Sequence, residues 1–234
     1  FSSNTNPVRM SPVYDSNAQK IVLAWRAAGA SNVGRAAVAT VSGTSVSFGS
    51  TAVYDSGQVE DVTATFDSSN NKAVVIARDK TNDAGKAYVG TVSGTNITFG
   101  SAVQFVDGSS SDVATNPKAT FDSNLNRVVI AYKDSVNSDY GTAISGTVSG
   151  TSITFDTATV FEQANTLELA ATFDSNSNKS VFAYRDVGTN YGTAVTFTPT
   201  TLVTTRGEVA DGGNVSMDII GSVSDNQIGL TAGQ

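Results

Sequence analysis

The stretch ATFDSNSNKSVFAYRDVGTNYGTAV, residues 171–195, decides the fold, because it returns in altered wording three times upstream. An aromatic residue followed by Asp-Ser marks each copy. The markers Tyr14, Phe66, Phe121 and Phe173 stand 52, 55 and 52 residues apart. A period near fifty belongs to propeller blades and related arrays. A chain of 234 residues with such a period is expected to form one repetitive domain rather than two independent ones.

The first copy shows how a unit is made. SPVYDS ends a first strand, KIVLAWRA is a second, GRAAVATVSG a third and TSVSFGSTAVYDS a fourth. Each is rich in β-branched or aromatic residues and is bounded by Gly, Ser, Asn or Asp. The second strand is apolar on both faces in every copy (Ile21 to Trp25, Val74 to Ala77, Val128 to Tyr132, Val181 to Tyr184), so it is expected inside a sheet. The fourth alternates, with Val46 and Phe48, Ile97 and Phe99, and Ile153 and Phe155 set against Ser, Thr or Asn, as a half-exposed outer strand would. The expectation is an all-β chain, a β-propeller of about four four-stranded antiparallel blades, standing alone or as part of a larger ring or fibre. A β-solenoid would need a shorter period. The blades are read at 1–53, 54–105, 106–160 and 161–206. Residues 207–234 form a C-terminal extension or the start of a further β domain, with MDIIGSV as a strand. Phe1 aligns with Phe161, at the tail of a fourth strand.

Two connections keep their wording between copies: DSNAQK, DSSNNK, DSNLNR, DSNSNK, and VSGTS, VSGTN, VSGTS. Asp and Asn cap their own turn and tolerate left-handed backbone, while Ser-Gly supplies the positive φ of a tight hairpin. The other connections vary in length, charge and aromatic content. They are Gly29 to Val33, Lys80 to Ala84, Ser135 to Tyr140 and Val187 to Tyr191, with the inter-blade connectors around Glu60, Ser110 and Asn165. In an up-and-down sheet alternate connections share an edge, so these fall on one rim, the expected working face.

Composition removes several classes of function. A net charge of -7 argues against a nucleic-acid partner. With no Cys and no His, disulfides, thiolate chemistry, imidazole bases and the commonest transition-metal ligands are all absent. No apolar run is long enough for membrane insertion by a helix, and the start FSSNTNPVRM resembles no signal peptide; it also lacks an initiator Met, so a processed or excised piece is expected.

FDSNSNKSVFAYRD, NYGTA and GTVSGTSITF resemble a repeat of long structural proteins of marine bacteriophages, and IIGSVSDNQIGLTAGQ resembles a segment found downstream of such repeats. The resemblance covers nearly the whole chain. It departs at Ala27, where the other copies have Asp, and after Pro199. It implies a tail-fibre or other virion appendage, located on the virion or otherwise extracellular, with other virion or fibre subunits as partners and a homo-oligomer among the possible assemblies.

Candidate site residues follow from the variable loops. Tyr140 and Tyr191 offer aromatic platforms for sugar, and Asp139 or Asn190 would accept hydroxyl hydrogen bonds. Arg26, Arg78, Lys133 and Arg185, at the end of each second strand, would form a cationic collar around the axis. The structural alternative pairs each with a nearby carboxylate among Asp15, Asp67, Asp122 and Asp174. Trp25, Tyr132 and Tyr184 read as core. No catalytic residues are assigned, because Glu60, Glu162, Glu168 and Glu208 are scattered and no nucleophile and base pair exists. No metal site is assigned either. Asp174 to Arg185 begins like a calcium loop but has Lys179 at its sixth position and Arg185 at its twelfth. No cofactor is expected, and the chain is read as a non-enzyme. The functional expectation is attachment to host-surface glycan by a virion appendage. The alternatives are a purely structural spacer or decoration protein, or a secreted bacterial lectin or adhesin.

Overall fold

The structure, a computed structural model, describes residues 6–108 and 114–199. Phe1, Ser110, Glu208 and the strand expected within 207–234 lie outside the described residues. The chain divides into two compact units, Phe1–Thr198 and Pro199–Gln234, and the architecture below is that of the first.

The first blade is built from β1 (Pro7–Asp15), β2 (Lys20–Ala27), β3 (Val33–Ser42), β4 (Ser45–Phe48) and β5 (Ala52–Asp55), joined by antiparallel pairing in the order β1, β2, β3. The expected fourth strand is broken in two. β4 pairs with the end of β3 and β5 with its beginning, with Gly49 at the break. The second blade repeats the plan with β6 (Val59–Asp67), β7 (Lys72–Asp79), β8 (Gly85–Ser93), β9 (Asn96–Phe99) and β10 (Val103–Val106). The third uses β11 (Ala114–Asp122), β12 (Arg127–Asp134), β13 (Tyr140–Ser149), β14 (Ser152–Phe155) and the first part of β15 (Thr159–Asp174). β15 then runs on unbroken to become the first strand of the fourth blade, followed by β16 (Lys179–Asp186) and β17 (Gly192–Phe197).

The first strands pack beside one another in succession, β1 with β6, β6 with β11 and β11 with β15, so they line the axis of a β-propeller. The sheets form an open arc rather than a closed ring. Between each pair of blades lies one apolar layer. Val22, Ala24, Ala36 and Val38 meet Val75, Ala77, Tyr88 and Ile97. Val74, Ile76 and Val89 meet Ile130, Tyr132 and Ile153. Val129, Ala131 and Ala143 meet Phe182. The second strand is therefore buried on both faces where it has a blade on each side, as in β7, and only on one where it does not, as in β16.

One aromatic from the outer strand of each of the first three blades is driven into the next layer. Tyr54 lies 5.0 Å from the ring of Tyr88, Phe105 lies 5.6 Å from Tyr132, and Phe161 lies 5.1 Å from Phe182. Each ring rests on a glycine of its own blade, Gly34, Gly85 or Gly141, where a Cβ would come within 2.2, 2.5 and 2.5 Å of it. Only glycine leaves room for the ring there. Tyr54, placed at the head of the second repeat by periodicity, thus pairs through β5 with the first sheet.

Candidate glycan-binding rim

The variable loops meet on one edge because inter-blade connectors and loops share backbone bonds. Val59 N–H donates to the Asn32 carbonyl at 2.9 Å, Lys80 N–H to that of Gln58 at 2.8 Å, and Val187 N–H to that of Asn165 at 2.9 Å.

Asp139 and Asn190 occupy equivalent places just before the third strand, alongside Asn32 and Asp83. All four are left-handed, with φ of 62°, 58°, 63° and 61° in chain order. Asn and Asp are the non-glycine residues that adopt this conformation most readily, so their identity serves the turn. Asp139 is further engaged. Its Oδ1 lies 2.9 Å from Lys133 Nζ, and its Oδ2 accepts from Asn165 Nδ2 at 3.1 Å. The Lys133 hydrogen bond holds its carboxyl below the usual range. Asn190 is exposed.

The two tyrosines differ. Tyr140 is half-buried at the start of β13, paired with Asn165. Tyr191 is 72% exposed, and its carbonyl accepts from Asp186 N–H at 3.0 Å. Asn165 joins the two loops, since it pairs with Tyr140 and takes the Val187 bond.

The four cations do not form a uniform collar. Arg26 crosses to the second blade, Nη1 to Glu60 Oε1 at 2.5 Å. Arg78 meets Glu60 at 2.7 Å, Asp83 at 2.6 Å and Asp61 at 3.3 Å, and Lys80 also reaches Glu60, at 3.0 Å. Burial raises the Glu60 carboxyl, but the Lys80 hydrogen bond and the charges of Lys80, Arg78 and Arg26 outweigh it and hold the group below its ordinary value. Lys133 pairs with Asp139. Arg185 makes no ion pair among the described residues, because the residue matching Asp83 and Asp139 is there the neutral Asn190.

The pairing of these cations with Asp15, Asp67, Asp122 and Asp174 is corrected. Those carboxylates each accept two backbone N–H groups of their own turn, for example Asp67 Oδ1 from Ser69 at 2.9 Å and Asn70 at 3.0 Å. They lie at the opposite end of the first strand from the cations, which sit at the loop rim.

Arg185 and Asn190 instead come together in an open groove of about 560 Å³ on the fourth blade, shared with Glu168, Tyr184 and Thr193. Gly192 lines it too. It matches Gly34, Gly85 and Gly141 but, among the described residues, has nothing within 4 Å of an added Cβ. The groove thus lies where the other blades seat an aromatic ring. Sequence reasoning missed Glu168 as a site residue, since no motif marks it. Trp25, Tyr132 and Tyr184 are core, 0, 2 and 5% exposed. Among the described residues no group of three or more acidic side chains is arranged to hold a metal ion, and no helix is long and apolar enough to cross a membrane.

No family model matches the sequence, and no curated protein does. Among solved structures, a triple arginine-to-alanine mutant of AofleA from Arthrobotrys oligospora aligns with a TM-score of 0.50 and 11% identity, over 79% of this chain and 52% of that one. TolB from Acinetobacter baumannii aligns with a TM-score of 0.42 and 14% identity, over 86% of this chain and 46% of that one. The chain thus spans about half the length of the structures it matches. The likeness to AofleA is one of fold, and the fold is that of a β-propeller.

Proposed function

We propose that this chain is a non-enzymatic attachment domain of a virion appendage or fibre, which holds the loops of one rim against host-surface glycan. The observation that carries the reading is Tyr191, whose exposed ring follows Asn190 at the edge of the groove lined by Glu168, Tyr184 and Arg185. An exposed aromatic face beside hydrogen-bonding side chains is what a pyranose ring needs, with stacking on its C–H face and hydrogen bonds to its hydroxyls. A single site of this kind is shallow and binds weakly, and repeated copies on an appendage raise the effective concentration. The phage-repeat resemblance supplies the setting, and the lack of a nucleophile and base supports a role without catalysis.

The test displays the chain multivalently on beads and measures adhesion to host cells. Tyr191→Ala is expected to lower adhesion while leaving the melting temperature unchanged, and normal adhesion by that variant would overturn the rim assignment.

A structural spacer is the second reading, favoured by the exposed apolar side chains of the first blade, Met10, Tyr14, Val41, Val46 and Val53. It requires that wild-type beads adhere to no cell and that the chain self-associates.

A further inference from the structure

Each first strand carries a bulge near its start, seen as a register shift between Val8 and Ser11, Glu60 and Thr63, Thr115 and Lys118, and Leu167 and Ala170. At each bulge one residue is left-handed: Arg9, Asp61, Asn116 and Glu168, with φ of 53°, 51°, 52° and 52°. The same chain shows how it fills left-handed positions that serve only a turn. The turn after the first strand uses Gln19, Asn71, Asn126 and Asn178, and the hairpin after the third uses Gly43, Gly94 and Gly150. Those positions have settled mostly on Asn and Gly, the residues that adopt this backbone at least cost. Two of the bulges follow that rule, with Asp61 and Asn116, but the other two hold Arg9 and Glu168, which this backbone does not favour. The bulges keep the strained conformation in all four blades while the side chain changes from Arg to Asp to Asn to Glu. A bulge that served only to bend the strand would gain from glycine or Asn, so Arg9 and Glu168 in particular point to a use for the side chain itself.

The bulges lie at the axis, since the first strands line it, β1 beside β6, β6 beside β11 and β11 beside β15, and the second and third bulges meet, with Asn116 N–H 3.5 Å from Asp61 Oδ2. The half-buried amine of Lys118, two residues past Asn116, is pushed down in pKa chiefly by burial, with the charges of Asp61, Arg9 and Glu168 as lesser influences. Among the described residues its hydrogen bonds go to neutral oxygens, Asn116 Oδ1 at 2.9 Å and the Pro117 carbonyl at 3.4 Å. Arg9 and Glu168 are exposed, and their side chains make no hydrogen bond or ion pair among the described residues. Asp61 is partly engaged, by Arg78 at 3.3 Å and by the Asn116 N–H at 3.5 Å. In blade order the axis therefore offers a donor (Arg9), an acceptor (Asp61), a donor (Lys118) and an acceptor (Glu168). Glu168 also lines the groove of the fourth blade.

We propose that the axial face of the first strands, at and beside the four bulges, forms a polyol site, which binds an uncharged sugar by matching the alternating donors and acceptors Arg9, Asp61, Lys118 and Glu168 to its vicinal hydroxyls. Alternating charge suits a ligand whose every hydroxyl both gives and takes a hydrogen bond. It favours an ion of neither sign, so an acidic sugar gains nothing over a neutral one. The inference rests on the glycan reading and adds to it the class of sugar and a second set of contacts.

The experiment measures binding of the full chain to an immobilised panel of neutral mannose- and galactose-terminated oligosaccharides and a matched uronic-acid-terminated panel. Wild type, Arg9→Gly, Glu168→Gly and Tyr191→Ala are compared. Glycine relieves the bulge, so both bulge variants are expected to melt at or above the wild-type temperature while losing about tenfold in affinity for neutral sugar, the scale of one lost hydrogen bond to a charged group. A purely structural bulge would give the stability result without the binding loss. Full affinity in both glycine variants alongside loss in Tyr191→Ala overturns the axial site and leaves the rim reading standing. Preference for the acidic panel also overturns it. Failure of wild type to bind either panel overturns both.

Discussion

The guanidinium of Arg26 leaves its own blade to meet Glu60 of the next, where Arg78 and Lys80 converge on the same carboxylate. Three cations on one acid make Glu60 the electrostatic joint between the first two blades. Glu60→Gln is expected to destabilise the domain by about 1–3 kcal/mol at neutral pH, between the values for exposed and buried pairs. The native carboxyl is held below 4.5, so its contribution is complete above that value and is lost as pH falls through the depressed native value. Denaturant melts at several pH values should show the gap between wild type and variant closing below about pH 4.5. A gap that stays constant down to pH 2 would remove Glu60 from this role.

The glycines of the third strands supply a comparison within one molecule. Gly85→Ala places a methyl 2.5 Å from the ring of Phe105, whereas Gly192→Ala meets nothing within 4 Å. The first is expected to cost about 1–3 kcal/mol through overpacking and the second close to nothing. Equal melting temperatures for the two variants would show that the ring shifts freely.

Tyr184 carries a bond across the last blade boundary, its hydroxyl donating to Glu162 Oε2 at 2.6 Å. Burial, then the hydrogen bond to Glu162 and the negative charges of Glu162 and Asp186, raise the phenol far above its ordinary value, so it remains a donor at any working pH. Tyr184→Phe should cost about 1–2 kcal/mol, and that cost should vanish when the change is made in a Glu162→Ala background, where the acceptor is gone.

The capping aspartates predict graded costs. Asp67 is fully buried and satisfies two backbone N–H groups and two side chains of its turn, while Asp174 performs a similar task in the open. Asp67→Ala is expected to lower stability by about 2 kcal/mol, since it removes a buried acceptor that serves four part-buried hydrogen bonds. Asp174→Ala should cost visibly less, and thermal melts of the pair would test the ordering.

The four-strand plan was legible because each clue is local. Asp-Ser turns and apolar second strands repeat four times and Ser-Gly hairpins three, and each is a short-range signal. The break of the outer strand at Gly49 was not, because it depends on which half of β3 each piece pairs with. The cation partners were misplaced for a related reason. Nearness in the repeat pointed to Asp15 and its equivalents, yet those carboxylates are spent on their own turns, and Arg26 reaches 34 residues along the chain to another blade. The bulges were invisible too, since Arg9, Asp61, Asn116 and Glu168 share no chemistry, only a backbone angle.

The unbroken strand β15 has a mechanical consequence. It enters at the outer edge of the third blade, paired with β13, and leaves as the innermost strand of the fourth, paired with β16. The first boundary instead passes through a turn between Asp55 and Val59. Tension along the chain at the third boundary is therefore borne by two ladders sharing one extended backbone, with no slack segment to straighten first. At the first boundary the turn between Asp55 and Val59 can extend before either ladder is loaded, whereas at the third the two ladders take the load together.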